Sequence, residues 1–352
     1  MKFGIALASA VDSWKHVRRA EELGFTSSWF YDTQLLNPDV FICMALAAEK
    51  TSRIRLGTGV LIPSNRIEPV AANALATLNR IAPGRIDFGV GTGFTARRTM
   101  GLKAIPLRKM KKYAERVQEL LRGQVIEWEF ESKNRKLSFL NPDLGLINIE
   151  DPIALHISAM GPKSRELVAD MGAGWLNFGS ELESLVRDVE DLKSHWQCRQ
   201  GPQAKMKNTL FFLGAVLGED QGKNAEKLML QAAPWTAVML HNLAESDPRI
   251  YSKLPPKHRS VLEAYLNMHK DFKPTDAKYI ENHKGHLMYL REGEKQIIDP
   301  DFVRATTMSG SQQELRDKFT LLAESGYEEF VIQLIPGEEG AIEEWADVFS
   351  TL

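Results

Sequence analysis

The residues best suited to bind a small ligand form several groups along the chain. Each group directly follows a short apolar run. Gly161 and Pro162 open a predicted helix after one such run, and Lys163 and Ser164 come next. The free N–H groups of a helix start, beside an ammonium and a hydroxyl group, suit a phosphate. Gly-Pro can also serve simply to start a helix. We favour the phosphate site, since proteins built from parallel βα units often bind phosphate in this manner.

Small residues and glycines dominate the ends of the other predicted strands. Such ends open a wide, flat cavity and let the backbone approach a planar ligand closely. A dinucleotide fingerprint is the rival interpretation of glycines 89–93, but Phe94 occupies the place of its third glycine. The candidate binding residues at the strand ends are Ala8, Thr58, Gly59, Val60, Gly91, Thr92, Gly93, Ser158, Met160, Gly179 and Ser180.

Three titratable residues are candidate catalytic groups. His283 and His286 could place an imidazole over a substrate as acid or base, because histidine titrates near neutral pH. They could equally be structural or face solvent. Asp32 either acts beside the ligand or hydrogen-bonds within a buried network. We predict no metal site, because no acidic residue has convincing ligand spacing from these histidines.

The elements that must position these residues alternate along the chain. Short, continuously apolar strands, each followed by a helix, indicate a parallel sheet covered on both faces. Eight such strands over this length favour a closed (β/α)8 TIM barrel, with functional groups at the carboxyl ends of the strands. The predicted strands are 3–8, 28–31, 54–61, 86–90, 154–158, 175–178, 209–217 and 329–334.

Two stretches interrupt the alternation within what we predict to be a single domain, 1–352. Residues 124–151, after strand four, have the pattern of an inserted hairpin. Residues 234–300, after strand seven, contain five of the eight histidines and read as a mostly helical lid over the barrel mouth. Long insertions in compact domains are usually lids or binding loops.

Composition excludes several classes of function. The formal net charge is −2, which gives no electrostatic footprint for nucleic acid or an anionic membrane. The sequence shows no apolar run of the roughly 20 residues needed to span a bilayer, and its first residues lack the pattern of a signal peptide. Two cysteines are too few for a disulfide framework. We therefore expect a cytoplasmic protein.

Several segments together resemble the luciferase-like monooxygenases. Residues 53–60, followed by Pro63, Arg66 and Pro69, look like the third βα unit of that family, and residues 83–93 look like the fourth. Residues 159–164 and 309–315 are similar to its phosphate-side and closing units. The resemblance covers roughly 1–217 and 305–336, and it is nearest to the branch with methylenetetrahydromethanopterin reductase and F420-dependent enzymes.

The resemblance implies a flavin-type cofactor, either FMN or the deazaflavin F420. Asp32 would lie beside its ring, and Gly59-Val60 would support the ring, often through a cis peptide in this family. Thr92 and Gly93 would border the ring or ribityl chain. The residues implied around the phosphate are Gly161, Pro162, Lys163, Gly179 and Ser180.

Two departures from the F420-using relatives favour FMN. Thr33 stands where they often carry histidine, and Phe94 stands where several carry glutamate. We therefore predict a monooxygenase that uses reduced FMN and O2 on a small organic substrate, with the reduced flavin supplied by a separate reductase. An F420-dependent hydride transfer and a non-catalytic flavin-binding barrel are the alternatives. A homodimer is expected by analogy with the family.

Overall fold

Short strands form the frame that positions the predicted binding residues. The computed structural model describes residues 1–352, with the side chain of Lys253 excepted. The strands are β1 (Lys2–Leu7), β2 (Ser27–Phe30), β3 (Arg55–Thr58), β4 (Ile86–Val90), β5 (Ile126–Phe130), β6 (Lys133–Leu137), β7 (Ala154–Ser158), β8 (Gly174–Phe178), β9 (Asn208–Phe212), β10 (Val216–Leu217), β11 (Gly310–Ser311) and β12 (Glu329–Leu334).

Helices occupy most of the chain between the strands. They are α1 (Trp14–Glu22), α2 (Val40–Lys50), α3 (Glu68–Ile81), α4 (Phe94–Arg98), α5 (Leu107–Leu121), α6 (Pro162–Met171), α7 (Leu182–Gln200), α8 (Gln221–Lys227), α9 (Ala233–Ala244), α10 (Pro256–Lys270), α11 (Tyr279–Asn282), α12 (Glu292–Lys295), α13 (Pro300–Thr306), α14 (Gln312–Ser325) and α15 (Ala341–Phe349). Among the described residues, no helix is long and apolar enough to cross a bilayer.

Eight of the described strands close into a parallel barrel. Around the barrel their order is β1, β12, β9, β8, β7, β4, β3 and β2, so the last strand pairs with the first. Both faces of these strands are covered, which explains their continuously apolar sequences. The predicted (β/α)8 barrel is confirmed, and the carboxyl ends of the strands meet at one mouth.

Two predicted strands are shorter in the structure. β3 ends at Thr58, the Gly59–Val60 peptide is cis, and Leu61 pairs again with Val90 through an isolated bridge. The predicted strand 209–217 divides into β9 and β10. Gly214 marks the break, because a Cβ there would lie 1.9 Å from the carbonyl oxygen of Met308. β10 instead pairs with β11, which precedes the last barrel unit.

Trp29 fills the interior of the barrel below the mouth. Its ring makes edge contacts with His156 and Phe211, with centroids 5.2 and 5.6 Å away. The neighbouring strand accommodates this ring only with glycine at position 57, where a Cβ would lie 2.4 Å from Trp29 Cε3. Trp29 therefore separates the mouth of the barrel from a second cavity at the opposite end, which Asp87 and His156 line with it.

The two insertions have the predicted character. β5 and β6 form an antiparallel hairpin within 124–151. Within 234–300, helices α9 to α12 surround an apolar cluster of their own, which includes Leu240, Leu262 and Tyr265. This second segment, hereafter the lid, contributes side chains to the space above the strand ends.

Candidate active site at the barrel mouth

A cavity of about 850 Å³ lies between the carboxyl ends of the barrel strands and the lid. Its lining is mostly apolar with a few polar groups, as in typical small-molecule sites. Trp235, Val238, Asn242, Leu287 and Met288 line it from the lid side. The predicted residues that line it are Ala8, Asp32, Gly59, Val60, Gly91, Thr92, Gly93, Ser158, Met160, Gly161, Pro162, Lys163, Ser164 and His286.

Four predicted residues lie outside this lining. Thr58 is buried between strands, where its hydroxyl donates to the carbonyl of Gly89 at 2.7 Å. Ser180 donates to the carbonyl of Thr306 at 2.8 Å, and Gly179 packs near Leu185. His283 is buried behind His286 and is described below. The structure thus assigns these residues contacts within the protein.

The cis Gly59–Val60 segment packs closely against Gly91. A Cβ added at Gly91 would lie 2.5 Å from Val60 Cγ2, a distance that real Cβ contacts do not reach. Both segments line the cavity and follow neighbouring strands. The absence of a side chain at position 91 therefore allows Val60 to occupy its place in the cavity wall.

Asp32 is held in an ion-paired network. Arg66 Nη1 lies 2.9 Å from one of its carboxylate oxygens, and the backbone N–H of Ile62 donates to the other at 3.2 Å. Asn65 also donates to that oxygen. Burial alone would lower the pKa of Arg66, but its contacts with Asp32 and Asp39 raise it overall. Asp32 thus braces the loop that carries Gly59-Val60, which is the buried-network alternative of the sequence analysis.

Helix α6 begins at the mouth with a reciprocal cap. The Ser164 hydroxyl accepts from the N–H of Gly161 at 3.1 Å and donates to its carbonyl at 2.7 Å. The N–H groups of Ser164 and Arg165 also donate to Gly161 O. Because Ser164 is used in the cap and Arg165 is ion-paired with Asp188 and Asp191, Lys163 is the residue of this turn that can offer its charge to a ligand.

Tyr31 and Gln333 are site residues that the sequence analysis did not select. The Tyr31 hydroxyl donates to Gln333 Oε1 at 2.8 Å, and burial raises the pKa of that hydroxyl. Gln333 Nε2 is buried and has no hydrogen-bond partner among the described residues. A polar residue near the end of the apolar run 329–334 was the available signal, since strand ends carry function in this fold.

Trp235 is a further site residue that the sequence did not indicate, because its helical spacing from Met239 and Leu243 is typical of core packing. Met239 and Leu243 do pack on the apolar cluster of the lid, but Trp235 lines the cavity. Its position in the first turn of α9 gave no sign of this, because the face of α9 that meets the cavity depends on how the lid packs.

Three histidines of the lid converge beside the cavity. His286 Nδ1 lies 3.3 Å from His241 Nδ1 and 3.4 Å from His283 Nδ1. The opposite nitrogen of His286 lies 3.1 Å from the hydroxyl of Thr95, which lines the cavity. Burial lowers the pKa of His286 well below its ordinary value, and the two neighbouring imidazoles lower it further.

Each of the other two imidazoles contacts a carboxylate. His241 Nε2 lies 2.7 Å from Glu294 Oε1, and His283 Nε2 lies 2.8 Å from Glu245 Oε1. Burial lowers the pKa of His241 although Glu294 opposes the shift. Glu294 orients the His241 ring through a hydrogen bond, whereas Glu245 lies close to the His283 ring without hydrogen-bond geometry; the Nδ1 atoms of both rings face His286.

Comparisons with known proteins agree with this architecture. The family model described as luciferase-like monooxygenase matches residues 6–329. The chain is 27% identical over 259 residues to the 5,10-methylenetetrahydromethanopterin reductase of Archaeoglobus fulgidus, covering 70% of this chain and 75% of that protein. It is 26% identical over 294 residues to an F420-dependent glucose-6-phosphate dehydrogenase of Kribbella flavida, covering 73% and 86%.

A solved structure shares the fold. The coenzyme F420-dependent tetrahydromethanopterin reductase of Methanopyrus kandleri superimposes with a TM-score of 0.71 at 19% identity, covering 99% of this chain and 98% of that one. At this identity the likeness establishes the fold, which agrees with the closed barrel described above.

Proposed function

Because the chain belongs to the luciferase-like monooxygenase family, whose members are oxidoreductases, we propose that it transfers a hydride between F420 and a small organic substrate. The observation that carries the proposal is the cavity at the mouth, bounded by Gly59-Val60 on one strand end and Gly91 on the next. A wall of backbone and small side chains suits a planar ring system.

The polar groups of the cavity also fit a flavin-type group. Gln333 presents a buried amide donor without a partner at the cavity, and an unsatisfied buried donor costs about 1–3 kcal/mol. A ligand with a carbonyl or ring-nitrogen acceptor would satisfy it. Lys163, beside the start of α6, would hold the phosphate of the tail.

The choice of F420 rests on the relatives. The Kribbella flavida protein, aligned over 73% of this chain, is named as F420-dependent. When bound, F420 supplies a two-electron carrier that exchanges hydride without O2.

The chain's own side chains would position the reactants and move a proton. Asp32 and Arg66 fix the loop that bears Gly59-Val60. Thr95 and His286 both line the cavity and are 3.1 Å apart, so they offer a hydroxyl and an imidazole to a substrate heteroatom. The lid lines one side of this space, and its displacement of water would strengthen these contacts.

The FMN-dependent monooxygenase predicted from sequence is the second candidate. It is favoured by Phe94, whose ring lines the cavity where F420-using relatives often carry glutamate. Arg98 lies 3.8 Å above one face of this ring, and Phe94 remains 46% exposed. An apolar edge suits a site that keeps water from reduced flavin in the presence of O2.

Cofactor titration of the purified chain distinguishes these candidates. We expect saturable F420 binding, followed by ligand fluorescence, and weaker binding of oxidised or reduced FMN under anaerobic conditions. Tight binding of reduced FMN, with O2 consumption on aeration and little affinity for F420, would establish the second candidate. If neither cofactor bound, both candidates would be wrong.

A further inference from the structure

We propose that the lid binds one divalent transition-metal ion of the zinc class through the Nδ1 atoms of His241, His283 and His286. The three side chains are 1%, 2% and 4% exposed. One ring nitrogen from each lies within 4.8 Å of those of the other two. His241 comes from α9, whereas the other two follow α11, so the fold and not local spacing assembles the cluster.

Two of the three nitrogen–nitrogen distances match those of a tetrahedral ion, and the third is below 4.8 Å. With metal–nitrogen bonds of about 2.0–2.1 Å, two nitrogens on a tetrahedron are about 3.3–3.4 Å apart. His286 Nδ1 lies 3.3 Å and 3.4 Å from the Nδ1 atoms of His241 and His283. Imidazole nitrogen is a preferred ligand for zinc, copper, nickel and iron, and a tetrahedral arrangement is typical of zinc.

Hydrogen bonds alone do not satisfy all three Nδ1 atoms of this cluster. A histidine that contacts a carboxylate through Nε2 carries its proton there, which leaves a lone pair on Nδ1. His241 hydrogen-bonds Glu294 in this way, so its Nδ1 lone pair faces His286 Nδ1. His283 Nε2 lies 2.8 Å from Glu245 Oε1 without hydrogen-bond geometry, and His283 Nδ1 is 3.4 Å from His286 Nδ1. A single proton on His286 can pair with only one of these two neighbours, whereas one cation would accept electron density from all three nitrogens.

The carboxylates form the outer layer that metal-bound histidines typically require. Glu294 contacts both His241 and Arg291, and Glu245 contacts His283 and accepts from Asn282 at 2.8 Å. Each carboxylate is therefore fixed from two sides. Such outer partners orient the imidazoles, and their loss typically lowers metal affinity 10–100-fold.

Three protein nitrogens leave one position of a four-coordinate ion for water or another small ligand. The ion would join α9 to the segment after α11, and through the contact of His286 with Thr95 it would tie the lid to the barrel mouth. The sequence analysis predicted no metal because it sought acidic ligands by chain spacing. This site does not depend on which cofactor the cavity takes.

Metal content and spectroscopy test the proposal without any assay of activity. We expect one equivalent of zinc per chain by elemental analysis, removed by a strong chelator and restored by added Zn²⁺. Titration of the stripped protein with Co²⁺ should give the intense visible absorption of a tetrahedral ion, saturating at one equivalent. Wild-type protein that shows no saturable one-equivalent binding of either ion would overturn the proposal.

Substitutions of the proposed histidine ligands test which side chains bind the ion. His241→Gln and His283→Gln should each abolish the cobalt absorption, and Glu294→Gln should weaken binding 10–100-fold. His195→Gln, on the barrel helix α7, is the matched control and should bind as wild type does. If stoichiometric binding survived both ligand substitutions, the ion would lie elsewhere and the proposal would be wrong. Should a ligand variant fail to fold, the wild-type titration still decides.

Discussion

Tyr31 at the end of β2 donates a hydrogen bond of 2.8 Å to Gln333 at the end of β12, across the intervening strand β1. The bond uses the carbonyl oxygen of the Gln333 amide and leaves its nitrogen without a partner in the described residues. Because Gln333 lines the cavity, the pair orients one buried donor toward whatever binds there.

Gln333→Glu tests this donor. The substitution keeps an acceptor for Tyr31 but replaces the amide nitrogen with an oxygen that repels a ligand acceptor. We expect cofactor affinity to fall roughly tenfold, since one hydrogen bond contributes about 1–1.5 kcal/mol. Cofactor titration checks this, with Gln124→Glu on an exposed loop as the control. Unchanged affinity would exclude Gln333 from the binding site.

Lys163→Ala tests the phosphate position. The side chain is exposed, so the loss should be modest, roughly 1 kcal/mol or about fivefold in cofactor affinity. The wild-type affinity should also decline with ionic strength more steeply than that of the variant. Lys133→Ala on the β5–β6 hairpin serves as control. Equal salt dependence of the two proteins would place the phosphate elsewhere.

Gly91→Ala tests the close approach of Val60. A Cβ would lie 2.5 Å from Val60 Cγ2, so the cavity wall must shift. We expect about 1–3 kcal/mol of destabilisation in urea unfolding, together with weaker cofactor binding. Gly340→Ala is the matched control, because a Cβ there meets nothing within 4 Å, and its stability should be unchanged or slightly higher.

The variants Asp32→Asn and Arg66→Gln test whether Asp32 positions the loop that carries Gly59-Val60 or takes part in catalysis. If Asp32 acts by bracing the loop, each single variant should lose about 3 kcal/mol of stability, and the double variant should lose little more. Both single variants should then weaken cofactor binding to a similar extent while turnover at saturation is retained. A collapse of turnover in Asp32→Asn alone would instead make Asp32 a catalytic residue.

Asp87 at the opposite end of the barrel sets a pH dependence of stability. Burial would raise its pKa, but His156, 3.2 Å away, and Arg55 lower the pKa overall. A carboxylate with a lowered pKa stabilises the fold above its ordinary value of about 3.9, and this contribution is lost as pH falls below about 5.

Asp87→Asn should therefore lower the free energy of unfolding near pH 7 by about 3 kcal/mol and flatten its decline in acid. Urea unfolding between pH 3 and pH 7 measures both effects. The exposed Asp143→Asn is the control and should follow the wild-type curve. A variant whose stability falls in acid as steeply as wild type would show that Asp87 is not responsible.

The barrel could be predicted from sequence because its signals are local. Apolar runs such as 86–90 and 154–158 coincide with β4 and β7 residue for residue. Small residues at or just after the ends of these runs predicted most of the cavity wall, including Ser158 and Gly91, since every parallel strand ends at the same mouth. The division of 209–217 was missed, because it depends on the close approach of Met308 to Gly214.

The chemistry of the lid could not be predicted in the same way. His283 and His286 were selected by their spacing, but His241 lies about forty positions earlier and joins them only when α9 packs against the segment after α11. Likewise, Asp32 was selected because its side chain is titratable. Its ion pair with Arg66 depends on the path of the loop after β3, which the sequence does not show. Long-range packing, which no short pattern encodes, decided these roles.

The indole of Trp29 beneath the mouth has a kinetic consequence. Because the Trp29 indole closes the barrel beneath the mouth, a flat cofactor would settle against Gly59-Val60 and Gly91 before a substrate occupies the space under the lid. Arrival and departure would then follow a fixed sequence, with the cofactor first in and last out. The departing form of the cofactor should accordingly compete with the entering form in steady-state measurements, whereas the organic product should give mixed inhibition against both reactants.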